Sequence, residues 1–173
     1  MELRSVSNMS KDEKAKVMAF SCGENDIDNY LKEEAVTDHI CNLTRTFILY
    51  HENKMIGYFS LTTDKALLIK KSKVRTYLPS HPFYEHKSDS IPAIQIHHFA
   101  IAKELQGLGW GRLLFTHLLT LIKINVLPHI GASLLTVYSL KNAKEFYKKI
   151  GFEKTGKNSS SNVNMALVLS EVL

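Results

Sequence analysis

Three glycines in five positions, Gly107, Gly109 and Gly111, stand between two apolar runs. The run before them, IPAIQIHHFAI (91–101), is rich in β-branched residues and reads as a long strand. The run after them, RLLFTHLLTLIKI (112–124), is apolar on nearly all sides, as a helix packed in a core would be. Glycine inside a regular element costs roughly 0.5–1 kcal/mol relative to alanine, so three together mark a place where the backbone itself is used. The first N–H groups of a helix lack partners within it, and the helix dipole is positive at that end. A strand, a glycine loop and a helix in that order therefore form an anion site, with Gly107 to Arg112 supplying the donors.

Nucleotide-binding loops of this kind differ in the residues after the glycines. A Walker loop ends in Gly-Lys-Ser/Thr, but here Gly111 precedes Arg112 and Leu113. A dinucleotide fingerprint needs an acid about 20 residues further on. No Asp or Glu occurs between Leu105 and Lys144, whereas Arg112, Lys123, Lys141 and Lys144 do. A diphosphate held by main-chain amides and Arg112 without a metal fits this pattern. A tight glycine turn with no ligand is the alternative.

The remaining sequence sets the frame. A chain of 173 residues, 45% apolar and 23% charged, fits a single domain spanning 1–173. Charged or polar residues interrupt every apolar run well short of the roughly 20 residues needed to span a membrane. The N-terminal MELRSVSNMSKDEK lacks the apolar stretch of a secretory signal. Cys22 and Cys41 have no metal-ligand spacing and read as structural free thiols, the eight histidines form no zinc-like pattern, and a cytoplasmic protein is expected. Net charge is +5, and the cationic stretches KKSKVR (70–75) and Lys141, Lys144, Lys148 and Lys149 suit either a phosphate backbone or plain solvation. Tyr77, Phe83 and Tyr84 lie between them, where they would stack on a base or pack.

Ser10-Lys11-Asp12-Glu13 reads as a capping box that opens a short helix. A second helix is expected from about Asn25, on the spacing of Ile27, Tyr30, Leu31, Ala35 and Val36. TRTFILY (44–50) and MIGYFSLT (55–62) form a hairpin around ENK. KALLIKKSKVR reads as a strand or a short helix, and YLPSHPFYEHKSDS as a loop. After the glycine loop and its helix come a strand at 133–138, a helix through KNAKEFYKKI with Gly151 as its left-handed cap, a loop at NSSSN (158–162), and a last strand, MALVL (165–169). His97 and His98 are expected on opposite faces of their strand, with one of them available to relay a proton. The order of elements gives a mixed α/β domain.

QGLGWG resembles the Gln/Arg-x-x-Gly-x-Gly/Ala signature of the GNAT N-acetyltransferases, HHFAIAKELQ resembles the strand that precedes it, and AKEFYKKIGF (143–152) resembles the family's late tyrosine helix. FSCGENDIDNYLKEEA (20–35), TRTFILY, IGYFSLT and IPAIQIHHFAI are similar to the toxin branch that acetylates aminoacyl-tRNA. Two positions depart from the pattern. His97-His98 stands where those toxins carry Gly-Arg, and Leu140 stands where many family members have an asparagine.

The resemblance implies a single domain with a mixed, mostly antiparallel sheet and helices on both faces. It implies acetyl-CoA as co-substrate, with its diphosphate on Gln106, Gly107, Leu108, Gly109, Trp110, Gly111 and Arg112 and its pantetheine arm along Phe99, Ala100 and Ile101. It implies direct attack of a primary amine on the thioester, with Tyr147 as the acid that protonates the leaving thiolate. The α-amine of aminoacyl-tRNA is the implied acceptor, with a protein antitoxin and a homodimer as implied partners. A small-molecule amine or protein N-terminus as acceptor, and a non-catalytic acyl-CoA-binding module, are the alternatives.

Overall fold

The computed structural model describes residues 1–68, 72–78, 90–156 and 162–172. Lys70, Lys71, Phe83, Tyr84 and most of the NSSSN loop lie outside the described residues, as does the side chain of Tyr77. Seven strands form one sheet in the order β1-β2-β3-β4-β5-β7-β6. They are β1 (Glu2–Ser5), β2 (Arg45–His51), β3 (Lys54–Leu67), β4 (Ser90–Ile101), β5 (Leu134–Leu140), β6 (Glu153–Lys154) and β7 (Asn162–Val168). β4 and β5 run parallel, whereas β1–β2, β2–β3, β5–β7 and β6–β7 are antiparallel. The chain forms two compact units, residues 1–62 with 97–121 and residues 63–96 with 122–173, and β3 and β4 contribute to both.

In the first unit, helix α1 (Lys11–Ala19) starts where the sequence places it. Ser10 Oγ accepts from Glu13 N–H at 3.2 Å, and Glu13 Oε2 accepts from Ser10 N–H at 2.7 Å. That main-chain bond and the Arg4 guanidinium hold the Glu13 carboxyl down to about 2. The second helical stretch is broken into α2 (Asn25–Asn29), a π-turn (Tyr30–Glu34) and α3 (Ala35–Ile40). Ala35 N–H bonds to Tyr30 O, five residues back, and Tyr30 is buried. Between β2 and β3, Glu52 and Asn53 both take positive φ (47° and 64°), the geometry of a tight hairpin turn. Val17, Phe20, Leu31, Ile48 and Tyr58 build the core of this unit. β1 has no counterpart in the sequence reading, because it is four residues long, three of them polar, and none is buried at its place on the sheet edge.

In the second unit, residues Ala93 to Ile96 of β4 pair with Leu134 to Val137 of β5, and β5 pairs along its whole length with β7. KALLIKKSKVR supplies the end of β3 and, after a gap, the short helix α4 (Val74–Tyr77), so both expected readings hold for different halves of it. Leu68, Val74, Leu78, Ile91 and Leu134 share one core cluster. Helix α6 (Lys144–Lys149) is followed by Gly151 at φ +100°, the expected left-handed cap.

A buried histidine ties the first unit together. Thr46 N–H donates to His39 Nδ1 at 3.1 Å, so Nδ1 is the bare nitrogen, and Nε2–H is left to donate to Ser5 Oγ at 3.2 Å. Burial, aided by the Arg45 charge, lowers the His39 pKa below its ordinary value. Protonation would place a hydrogen on Nδ1 against Thr46 N–H. The unfolded chain therefore takes up this proton more readily than the folded one. His39 contributes its full stability above about pH 6.5 and loses it as pH falls below that value, at no more than about 1.4 kcal/mol per pH unit. We expect urea unfolding measured from pH 7 to pH 5 to show this loss. In His39→Asn, which keeps an acceptor but cannot be protonated, the slope should fall by one histidine's share.

Candidate active site

The fold brings ten of the eleven expected site residues into the first unit, on one continuous stretch. The ladder between β4 and β5 ends at Ile96. Beyond it β4 carries Phe99, half-buried, and Ala100 and Ile101, both buried. Ala102 N–H returns to Ile56 O at 2.9 Å, and Lys103 N–H bonds to Ser21 O at 2.9 Å. A 3₁₀ turn (Lys103–Leu105) then delivers the glycine loop to helix α5 (Trp110–Leu121).

Gln106 does not aim its amide outward. Its Nε2 donates to Cys22 O at 2.8 Å and to Ile101 O at 3.1 Å, and its main-chain N–H reaches Lys103 O at 3.4 Å. Gln106 is thus a staple that fixes the start of the loop against β4 and the 21–23 segment. That segment is itself held by Asp28, which accepts from Ser21 Oγ at 2.6 Å and from Cys22 N–H at 2.8 Å.

Gly107 and Gly109 have φ of +76° and +89°, values that side-chain-bearing residues rarely adopt. A Cβ added at either would meet nothing within 4 Å. Backbone conformation demands these glycines, protein packing does not, and the space beside each Cα is open. The first hydrogen bonds of the helix run from Arg112 and Leu113 N–H to Gly109 O, at 3.1 and 3.3 Å. The N–H groups from Gly107 to Gly111 lie ahead of that ladder, where an anion is favoured. Arg112 and Leu108 are both exposed, Leu108 at 69%. Trp110, the single tryptophan, packs its ring against His51 at 5.4 Å between centroids.

Tyr147 lies in the second unit on α6 and is buried. Its ring meets Phe146 and Phe152 edge-on, with centroids 5.2 and 5.3 Å away. Burial raises the pKa of its phenol well above the ordinary value, so it stays protonated across the physiological range. Cys22 is also raised, to about 11, by burial and then by Asp28, which leaves it unreactive as a thiolate. Cys41 is exposed.

Two expectations are corrected by the geometry. His97 and His98 do not face opposite sides. Their Nδ1 atoms are 2.9 Å apart, and both rings lie against Tyr30, at 5.4 and 3.7 Å. The two rings bend toward one another, and Tyr30 offers both an aromatic surface. Helix α5 is not enclosed on all sides. Leu114, Phe115 and Leu118 are buried, but Thr116 and Thr120 are exposed, and Ile124 in the next turn is 62% exposed.

Residues 83–168 match the family model of the acetyltransferase (GNAT) domain. The chain carries a GNAT acetyltransferase domain. A tRNA-acetylating toxin from Mycobacterium tuberculosis is 26% identical to it over 139 residues, which is 79% of this chain and 78% of that protein. A tyrosine-to-phenylalanine mutant of KacT shares the fold with a TM-score of 0.75 and 22% identity, over 99% of this chain and 97% of the other. AtaT complexed with acetyl-methionyl-tRNAfMet shares it with a TM-score of 0.74 and 21% identity, over 99% and 96%. AtaT as a tyrosine-to-phenylalanine mutant, bound to the C-terminus of the antitoxin AtaR and acetyl-CoA, gives 0.71 and 21%, over 98% and 94%. No helix among the described residues is long and apolar enough to cross a membrane.

The GNAT domain also depends on a glycine that sequence patterning misses. Gly57 lies in β3, where a Cβ would sit 2.3 Å from Ala100 O and 2.8 Å from Ile101 Cδ1. A glycine inside a strand pattern is the available signal for such close backbone approach. We expect Gly57→Ala to lower stability by about 1–3 kcal/mol through overpacking, seen as a lower urea midpoint. Because the clash is with the main chain of β4, the near-ultraviolet circular dichroism of the folded variant should also change.

Proposed function

We propose that this protein transfers the acetyl group of acetyl-CoA to the α-amine of aminoacyl-tRNA, in the manner of a toxin neutralised by a protein antitoxin in the cytoplasm. The observation that carries the reading is the pair of left-handed glycines, Gly107 and Gly109, with open space beside them at the start of α5. A diphosphate fits there because main-chain N–H groups lead and no Cβ intervenes. The relatives support the rest. One is a tRNA-acetylating toxin, and AtaT is seen with acetyl-CoA, with an antitoxin and with acetyl-methionyl-tRNAfMet.

In this reading the amides of Gly107, Leu108, Gly109, Trp110 and Gly111, with Arg112, hold the diphosphate, and Gln106 keeps their loop in register. Main-chain groups of Phe99, Ala100 and Ile101 hold the pantetheine arm as an added strand would be held, and an N–H among them polarises the reacting carbonyl. Acetyl-CoA supplies an activated acyl group and a thiolate leaving group. Tyr147 Oη keeps a proton for that sulfur, since a phenol raised by burial is fully protonated at neutral pH. No covalent enzyme intermediate is required, in keeping with the inert Cys22 thiol.

The decisive experiment adds acetyl-CoA and total aminoacyl-tRNA to the purified protein and measures label on the amino acid. We expect transfer by the wild type and a loss of about 10²–10⁴-fold in kcat for Tyr147→Phe. Acetyl-CoA binding, followed by Trp110 fluorescence, should be unchanged in that variant. Label on a polyamine or a protein N-terminus, with none on tRNA, would reassign the acceptor and leave the GNAT chemistry in place.

The second unit offers a surface for the RNA. Lys73, Lys148 and Lys154 line one concavity of about 360 Å³ with Phe152 and Met165. Lys148 also pairs with Glu145 at 2.9 Å. If each lysine meets one phosphate, replacing all three with Gln should weaken tRNA binding. It should also lower the slope of log K against log salt by about 2–3, at roughly 0.7–0.9 per phosphate. Fluorescence anisotropy with labelled tRNA across a salt series checks this.

A further inference from the structure

An amine that attacks a thioester must lose a proton as the new bond forms, before Tyr147 has given up its own to the sulfur and regained one from solvent, so a separate receiver is needed at that stage. The structure places two imidazoles on β4 directly before Phe99. His97 Nδ1 and His98 Nδ1 are 2.9 Å apart, a hydrogen-bond distance that requires a hydrogen on one nitrogen and none on the other. The two rings therefore share one N–H and behave as a unit. His98 is fixed in place by flat stacking on Tyr30, with ring centroids 3.7 Å apart and an angle of 13°. Tyr30 is fixed in turn by its hydroxyl, 2.8 Å from Thr44 Oγ1, and by stacking on Tyr58 at 6.5 Å. His98 is half-buried and His97 is exposed.

Resting on the acetyl-transfer reading, we propose that His97 and His98 form a proton relay that accepts the proton of the attacking amine and delivers it to solvent. At the start His98 carries hydrogen on Nδ1, which donates to the bare Nδ1 of His97, and His97 carries its own hydrogen on Nε2. The amine gives its proton to His98 Nε2. The bridging hydrogen crosses to His97 Nδ1, and His97 Nε2–H passes to water. One proton enters, one leaves, and both rings end neutral with their tautomers exchanged, to be reset through solvent.

The surroundings give the relay a direction. The titratable and charged groups that face the pair are Tyr30, Tyr58, Glu34 and Asp38. Burial and then the neighbouring His97 push His98 down to about 4, so it does not retain a proton at neutral pH. Burial also lowers His97, but Asp38 and Glu34 act on it in the opposite sense and draw positive charge toward the exposed ring. An α-amine, with a reference pKa of about 7.7–8.0, is partly protonated at pH 7 and benefits from such an outlet.

The test combines a spectroscopic and a kinetic arm on the full chain. In ¹⁵N-histidine NMR, wild-type protein should show one Nδ1–H coupled to two imidazoles, and His97→Gln should abolish it. With total aminoacyl-tRNA as acceptor, His98→Ala and His97→Gln should lower kcat about 10²-fold at pH 7. The deficit should shrink as pH rises above the pKa of the amine, with no change in KM for acetyl-CoA or in the Trp110 fluorescence titration. Added imidazole should restore part of the rate to His98→Ala, which a purely structural role would not allow. A wild type that transfers acetyl while both variants keep its kcat and pH profile overturns the relay alone, as do two imidazoles with no shared hydrogen. A wild type that acetylates nothing overturns the function and the relay together.

Discussion

The two hydrogen bonds from Gln106 Nε2, to Ile101 O and Cys22 O, tie the start of the glycine loop to the end of β4 just before it and to a segment 84 residues away in sequence. Both bonds leave the same nitrogen, one to the end of β4 at Ile101 and the other to a loop anchored by Asp28. Gly107 and Gly109 can hold their left-handed conformations in open space because the residue before them cannot drift. Burial works to raise the Asp28 carboxyl, but its bonds from Ser21 and from the Cys22 N–H outweigh this and hold the group below its ordinary value. The anchor is therefore charged at neutral pH, and charged acceptors make the stronger hydrogen bonds. Preorganisation of the glycine loop thus begins near residue 28, far from the glycines in sequence.

Local chemistry is legible in the residues. The capping box at Ser10 and Glu13, the turn at Glu52-Asn53, the cap at Gly151 and the glycine loop each depend on a few neighbouring side chains or φ values. Features that depend on distant partners are not legible. Gly57 is an ordinary strand residue until Ala100 O is placed 2.3 Å from its would-be Cβ. β1 carries no apolar alternation, because as an edge strand it buries little. The continuous apolar run of α5 suggests burial all round, but periodicity reports polarity and cannot say which faces a neighbour covers.

The histidine pair shows the same limit at the site itself. Alternation along a strand describes where Cβ atoms start, and it does not fix where long side chains end. His97 and His98 come just past the last register pair with β5, Ile96 with Val137, and an aromatic ring from the π-turn lies within reach of both. The π-turn matters here, since it is the element that carries Tyr30. A sequence pattern gives helix or strand at such a place but not the extra residue in the turn, and that residue is part of what sets where the ring points.

Burial has opposite consequences for different acids and bases, and this protein uses both. Removing water disfavours whichever form is charged. For the Tyr147 phenol the charged form is the deprotonated one, so burial preserves a proton donor. For the His98 imidazole the charged form is the protonated one, so burial preserves a proton acceptor. For the Cys22 thiol it suppresses the thiolate. A carboxylate base near the glycine loop would do similar work but would repel a diphosphate, and the sequence from Leu105 to Lys144 contains none. Desolvation of neutral groups resolves that conflict. In the proposed acetyl transfer, a neutral phenol and a neutral imidazole would serve as donor and acceptor without adding negative charge.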